Sequence, residues 1–442
     1  MLFAAEVPVP AVGKVRDNRK AGLDICPERM NSHQHSSPQT ALQGATILGP
    51  GSPELPPPEL DRAVDDALRL LSPSTGGIVV LVNDPQRHTA TNAILRLIAE
   101  RIAPGRLRVL VAAGSHPAPP KAARELFERS VLAGITRAAI QWHDCRAADL
   151  SAIGPADPST AVWRGHPWLL ESAGVLAIGS VEPHYFAGWT GAHKTATVGV
   201  AAHDDIQTNH AMALSPHCCP LCLDGNPVAE GILAMLGVLE AARSVAAVNL
   251  VQAGPDILAA AGGSARTALD AARPPAEAAF VRRIGKPVDA LIAEVAGPLA
   301  ESFYQADKGI KNNEWAVRDG GCLVLVAACP QGIGQDQFIS LLRRAATHAE
   351  AVAAVESAGY RLGDHKAVRL RYLTDPACRA VRAYVVSEGL SPADAALLGL
   401  LKAPTVAAAL ADAGIRPGRD SVLHAHDAGN LCAMPSATSQ RS

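Results

Sequence analysis

Residues 77–117 read GIVVLVNDPQRHTATNAILRLIAERIAPGRLRVLVAAGSHP, and this stretch decides the fold. It opens with an unbroken apolar run of strand length, 77–83. A second such run, 107–113, follows thirty residues later, and 90–101 between them repeats apolar residues at helical spacing. Two fully apolar strands joined by a helix form a βαβ unit, which requires parallel pairing and a sheet covered on both faces. The rhythm continues outward. Residues 138–143 and 175–180 read as further strands, 120–133 as a helix, and 59–71 (ELDRAVDDALRLL) as the helix where order begins. Residues 227–243 give a long helix and 246–252 another strand. A second α/β module follows, with strands expected at 288–295, 322–328, 368–373 and 383–386. The expected fold class is therefore α/β, two modules with largely parallel sheets. The N-terminal module spans 59–270 and the C-terminal module 284–435. Pro274 and Pro275 mark 271–283 as a linker; 1–58 read as a poorly ordered lead and 436–442 as a tail.

Composition narrows the function. Hydrophobic residues make up 48% of the 442 and aromatics only 4%, so the cores must be built from Ala, Val and Leu. Forty basic residues against forty-two acidic ones leave no field that would favour nucleic acid. No apolar run reaches the ~18–20 residues needed to span a bilayer. Nine scattered cysteines, an odd number, argue against a disulfide framework and for a reducing compartment. With no signal peptide legible at the start, the expected location is cytoplasmic.

In open α/β sheets, ligand groups gather on loops after the carboxyl ends of strands. Four such loops carry titratable residues: Asp84-Pro-Gln-Arg87, Gly114-Ser-His116, the segment from His184 to His210, and Ser302-Phe-Tyr-Gln-Ala-Asp-Lys308. The third lies within 181–214, VEPHYFAGWTGAHKTATVGVAAHDDIQTNHAMAL, which packs five imidazole or amine side chains among glycines. Each residue also has a plain structural reading. Asp84 suits a helix N-cap and Arg87 a solvated arginine, or together with its strand end a clamp for carboxylate or phosphate. His116 is a surface histidine or a proton shuttle. His193 and His203 read as structural. His210, on an expected helix, is a satisfied core imidazole or a metal ligand. Gln305 and Lys308 share one helical face, beside Tyr304 with its apolar wall and polar tip. His217-Cys218-Cys219-x-x-Cys222 is weak as a metal site, because a lone CxxC lacks its second pair. Lys194-Thr195 does not complete the phosphate loop GxxxxGK[ST], and no HExxH is present for a zinc hydrolase.

Taken in order, these pieces match a family. Asp84-x-x-Arg87, Gly114-x-His116, Pro183-His184-x-x-Ala187-Gly188, Lys194, Asn209-His210 and Tyr304-Gln305-x-x-Lys308 resemble the nickel-pincer-nucleotide-dependent lactate racemases and their 2-hydroxyacid racemase relatives. The likeness runs from about residue 77 to 435. It implies nickel held in pyridinium-3,5-bisthiocarboxylic acid mononucleotide, attached covalently through Lys194, with His210 completing the metal site. It assigns proton transfer to His116 and His184, cofactor and substrate contacts to Asp84 and Arg87, and the substrate's oxygens and side chain to Gln305, Lys308 and Tyr304. It implies a cleft between the modules as active site, a small 2-hydroxy acid as substrate, and cofactor-synthesis proteins as partners. The chemistry it implies avoids a carbanion: hydride leaves the substrate for the cofactor and returns to the opposite face while two histidines handle the hydroxyl proton. An unperturbed imidazole pKa of about 6.5 suits that exchange. Departures such as Ala192 and Gln86 point to the same chemistry on a different substrate. Two alternatives remain: a relative that transfers hydride without racemising, and a nickel or cofactor carrier without turnover. The carrier would have no need of a substrate clamp.

Overall fold

In the first module, the strands Ile78–Asn83, Leu107–Ala112, Ala139–Trp142, Gly174–Ser180, Ser244–Ala253 and Asp256–Gly263 form one sheet of a computed structural model. That structure describes residues 43–51, 58–71, 77–87, 89–103, 105–135, 138–154 and 162–436. All pairings in the sheet are parallel except the last, between Ser244–Ala253 and Asp256–Gly263. The apolar runs alternate between two cores. Val79, Leu81, Val175 and Ala177 face one side, and Val80, Val82, Leu176 and Ile178 the other. This is the physical meaning of an unbroken apolar strand: each face is covered by helices.

The chain runs from Ile78–Asn83 outward through Leu107–Ala112 to Ala139–Trp142, then returns to Gly174–Ser180 on the opposite side of the first strand. The topological switch point thus lies between Ile78–Asn83 and Gly174–Ser180, where such sheets open a ligand crevice. The second module repeats the device. Its order is Thr46–Leu48, Val422–Ala425, Val288–Glu294, Val317–Val326, Arg382–Val386 and Leu401–Lys402, all parallel. Its switch point falls between Val288–Glu294 and Val422–Ala425.

The two modules are tied together. Arg369 Nη1 donates to the carbonyls of Tyr185 (3.4 Å) and Cys218 (3.2 Å), and its Nη2 pairs with Glu314 at 3.0 Å. Gln305 Nε2 donates to Gln86 Oε1 at 2.8 Å. Among the described residues, no helix is long and apolar enough to cross a membrane, and the eight described cysteines are all free.

Three sequence expectations need correction. Residues 368–373 are not a strand but part of the helix Asp364–Thr374. The alternation V-R-L-R-Y-L imitates a strand because Arg369 and Arg371 look solvent-facing. In fact Arg371 is buried and donates to the carbonyls of Ala345, Leu342 and Leu397. The expected linker 271–283 is helix Ala265–Phe280 followed by strand Val281–Ile284. Pro274 and Pro275 sit inside that helix, which the burial of Ala268, Leu269, Ala272, Ala276, Ala279 and Phe280 sustains despite the lost backbone donors. The lead 1–58 falls mostly outside the described residues (1–42 and 52–57), as does the tail apart from Ser436. Within the lead, however, Thr46–Leu48 adds an edge strand to the second sheet.

Candidate active site

One cavity of about 810 Å³ lies between the modules at the carboxyl ends of both sheets. Its lining includes all nine residues singled out from the sequence: Asp84, Arg87, His116, His184, Lys194, His210, Tyr304, Gln305 and Lys308.

Lys194 is carried on a short helix, Ala192–Thr195, pressed against the central strands. Asn249, from the neighbouring strand, accepts from the Ala192 N–H at 2.8 Å, and Thr195 Oγ1 donates to Asn83 Oδ1 at 3.0 Å. Gly179 permits the close approach, since a Cβ there would lie 2.3 Å from Ala192 N. Gly191 enters the helix at φ 145°, a conformation open to glycine. The amine is buried and stands 5.7 Å over the Phe186 ring. Burial, with Arg87 and Lys308 nearby, holds it well below the usual lysine pKa, against a smaller opposing pull from Glu182. A neutral buried amine is the nucleophilic form.

His116 Nδ1 lies 2.6 Å from Asp84 Oδ2. The carboxylate accepts, so Nδ1 carries a proton and Nε2 is the ring nitrogen that Asp84 leaves free. His184 is arranged the other way. Its Nδ1 accepts from the Ala187 N–H at 3.3 Å, which leaves the proton of the neutral ring on Nε2. Burial first, then Lys194, Lys308 and Arg87, drive its pKa well below the ordinary imidazole value. Both histidines thus have Nδ1 engaged by the protein, which leaves Nε2 of each ring for the cleft. His210 is also neutral, its pKa lowered to about 3 by burial and then by Lys194 and His116. Its Nδ1 pairs with Asn209 Oδ1 at 3.2 Å, which frees Nε2. The rings of His184 and His210 flank Phe186, with centroids 4.5 and 5.1 Å from it.

Sequence reasoning missed Glu182. Its carboxylate stands 3.6 Å from both Arg87 Nη1 and Lys308 Nζ. Burial pushes its pKa up, but Lys308 and Arg87 outweigh burial and hold it below the usual range. Its position just past a strand end was the available signal. His365 was missed as well. It accepts or donates between Tyr185 Oη (3.2 Å) and Tyr360 Oη (2.7 Å), with its ring 6.2 Å from that of His210. It lies just ahead of 368–373, expected as a strand but part of the same helix, so nothing in the sequence aims it at the cleft. Lys366, next along that helix, has Nζ 4.2 Å over the Tyr304 ring.

The remaining histidine and cysteine readings divide. His193 points into the core with both ring nitrogens unpartnered, and His203 reaches the cavity wall. Cys218 donates to the Met212 carbonyl and Asn226 Oδ1, a structural use of the thiol.

Two stability predictions arise here. His143 and His193 are driven by burial to pKa values of about 4 and about 3. Unfolded imidazoles take up protons below about 6.5, the folded ones do not, so stability falls as pH drops from about 6.5 toward 4. Each is expected to contribute up to roughly 1 kcal/mol per pH unit in that window. Urea unfolding between pH 7 and 5 should show the slope, and His193→Leu should flatten it; equal slopes would contradict the assignment. Second, Glu182→Ala leaves Arg87 and Lys308 without a counter-charge. A loss of about 2 kcal/mol is expected, below the full cost of breaking a buried pair because Arg87 is partly solvated. A change within about 0.5 kcal/mol, the ordinary surface range, would argue against the bridge.

Fold and site together define an α/β protein with two largely parallel sheets, whose imidazole and cationic side chains converge on one cavity. Residues 60–218 match the lactate racemase N-terminal domain and residues 285–421 the lactate racemase C-terminal domain. The chain belongs to the lactate racemase family. It is 26% identical over 283 residues to a lactate racemase of Thermoanaerobacterium thermosaccharolyticum, covering 61% of this chain and 64% of that protein. It is 26% identical over 291 residues to a lactate racemase of Lactiplantibacillus plantarum, covering 63% and 66%. The matched region thus spans slightly under two thirds of each relative's length. The fold is similar to the lactate racemase apoprotein structure from T. thermosaccharolyticum, with TM-score 0.74, 20% identity, and 88% and 94% of the two chains covered. A Thermotoga maritima protein gives TM-score 0.65 at 15% identity, with 85% and 96% covered.

Proposed function

We propose that this protein racemises a small 2-hydroxy acid. The observation that carries the reading is the pair of imidazoles, His116 braced by Asp84 and His184 by the Ala187 N–H, lining the same cavity as the Arg87–Glu182–Lys308 trio. Two cations and one carboxylate leave a single net positive charge, matched to one substrate carboxylate. Racemisation requires proton traffic with two hands of substrate, and a cleft lined by two imidazoles supports it.

The residues fit a nickel-pincer nucleotide. Lys194 offers a buried amine held toward its neutral form, suited to covalent attachment. His210 offers a neutral imidazole with its other nitrogen engaged, as a metal ligand requires. Among the described residues near them there is no group of three protein metal ligands, so a metal at His210 must bring its other donors with it. When bound, such a cofactor would supply the hydride acceptor for the substrate's C2. The protein's part is then fourfold. Arg87 and Lys308 hold the carboxylate. His116 takes the hydroxyl proton through Nε2, and Asp84 steadies the imidazolium so formed. His184 serves the opposite hand: it takes the hydroxyl proton of that enantiomer to become an imidazolium, and from that form it returns a proton to the oxygen. Tyr304 and Gln305 close the side-chain end, with the Gln305–Gln86 bond drawing the modules over it.

The test is a panel of single-enantiomer 2-hydroxy acids, read by chiral chromatography, with protein co-expressed with nickel and cofactor synthesis. Formation of the opposite enantiomer from at least one acid is expected. Keto-acid release without inversion would point to the non-racemising relative, and no turnover across the panel would contradict the reading.

A further inference from the structure

We propose that the second sheet carries a divalent-cation site of its own, built from Glu294, His424 and His426. These residues stand at that module's switch point, the counterpart of the place where the first sheet sets Asp84, Glu182 and His184. Glu294 is the last residue of the strand Val288–Glu294. His424 lies in the paired strand Val422–Ala425 and His426 follows it, two residues on, so both imidazoles leave the chain on the same side.

The geometry is that of a ligand set. His424 Nε2 is 3.2 Å and His426 Nδ1 2.6 Å from the same carboxylate oxygen, Glu294 Oε2, and the two rings lie with centroids 4.2 Å apart. All three ligand atoms fall within 4.8 Å of one another, and among the described residues no other trio does so. Four-coordinate zinc, with bonds of about 2.0–2.2 Å, holds its donors roughly 3.3 Å apart. The first separation already matches, and the second opens by less than about 1 Å when a cation replaces the hydrogen bonds. Two imidazoles and a carboxylate favour borderline divalent cations, Zn2+ foremost, over Mg2+ or Ca2+. His424 is 5% exposed and its Nδ1 has no partner. No outer group raises its basicity, which sets the site below a fully supported zinc centre in affinity.

Glu294 and His426 also line the cavity, as do Asp427 and Asn430 just beyond. Three protein ligands with a face open to the cleft are the pattern of a site that accepts an exogenous oxygen, unlike a closed four-ligand structural centre. The cation would thus occupy the C-terminal wall of the cleft and offer its free position to water or to an oxygen at the far end of a bound molecule. It shares no residue with the Lys194–His210 cluster, so its existence does not depend on the racemase reading.

The test uses tag-free full-length protein made without cofactor synthesis and stripped with chelator. Co2+ is titrated while visible d–d absorption is followed, and Zn2+ is then added in competition. One saturable Co2+ per chain is expected, displaced by Zn2+, retained in His210→Ala, and weakened more than about tenfold in His426→Ala. His426 is partly exposed, so its alanine variant should melt like the parent, and circular dichroism checks this. Absence of saturable binding would overturn the proposal. So would equal binding by His426→Ala and the parent, or loss of binding in His210→Ala with retention in His426→Ala.

Discussion

Lys194→Ala is expected to reduce racemisation to background and to abolish any covalent adduct on the intact protein. The amine lines the cavity from a short helix whose first residue, Ala192, is held to the sheet at Gly179 and Asn249, and burial and two neighbouring cations hold it toward neutrality. No other described amine in the cavity is so placed. Lys308 faces Glu182 at 3.6 Å, and Lys366 is taken up by the Tyr304 carbonyl and Asp307. Removing the Lys194 side chain relieves the burial of an amine beside two cations, so the variant should fold about as stably as the parent. Intact mass, nickel content and rate measured together separate the outcomes. Loss of all three with an unchanged melting temperature supports the anchor. Activity within about tenfold of the parent, a loss of only ~1.4 kcal/mol, would contradict it.

His116→Asn and His184→Asn are each expected to lower turnover by about 10²–10⁴-fold, the usual worth of a positioned acid–base group. Because the equilibrium constant of a racemisation is one, kcat/KM must fall equally for both enantiomers in either variant. The half-reactions need not. Each variant should still oxidise one enantiomer in a single turnover, and the surviving enantiomer should differ between the two. Rapid-quench detection of keto acid from each hand checks this. The same surviving enantiomer in both variants, or full turnover in either, would show that the two imidazoles do not serve opposite hands.

The sequence revealed the site through one physical regularity. In a parallel sheet the carboxyl ends of the strands gather on one edge, so Asp84, His116 and His184 could be assigned to a common crevice from their place after apolar runs. Lys194, His210 and the Tyr304–Lys308 helix followed from motif order. What stayed hidden was set by tertiary contact. Glu182 looks like a loop acid until Arg87 and Lys308 close on it from separate modules. Arg369 and Arg371 disguised the second half of a helix as a strand, and His365, in its first turn, carried no signal of its own. Val422–Ala425 is a four-residue strand among polar turns, with too little apolar run to announce itself. Yet its pairing with Val288–Glu294 is what brings His424 and His426 to Glu294. Pro274 and Pro275 signalled a break that the buried alanine face of their helix overrides.

The most direct test of the account is to run the racemisation in D2O with a 2-hydroxy acid bearing protium at C2. Two imidazoles that handle only the hydroxyl proton, with the C2 hydrogen travelling as hydride and returning, predict that the inverted product keeps its protium and its mass. Stoichiometric deuterium at C2 of the inverted product would mean that a base in this cleft removes the carbon-bound proton instead, and would contradict the assignment of His116 and His184.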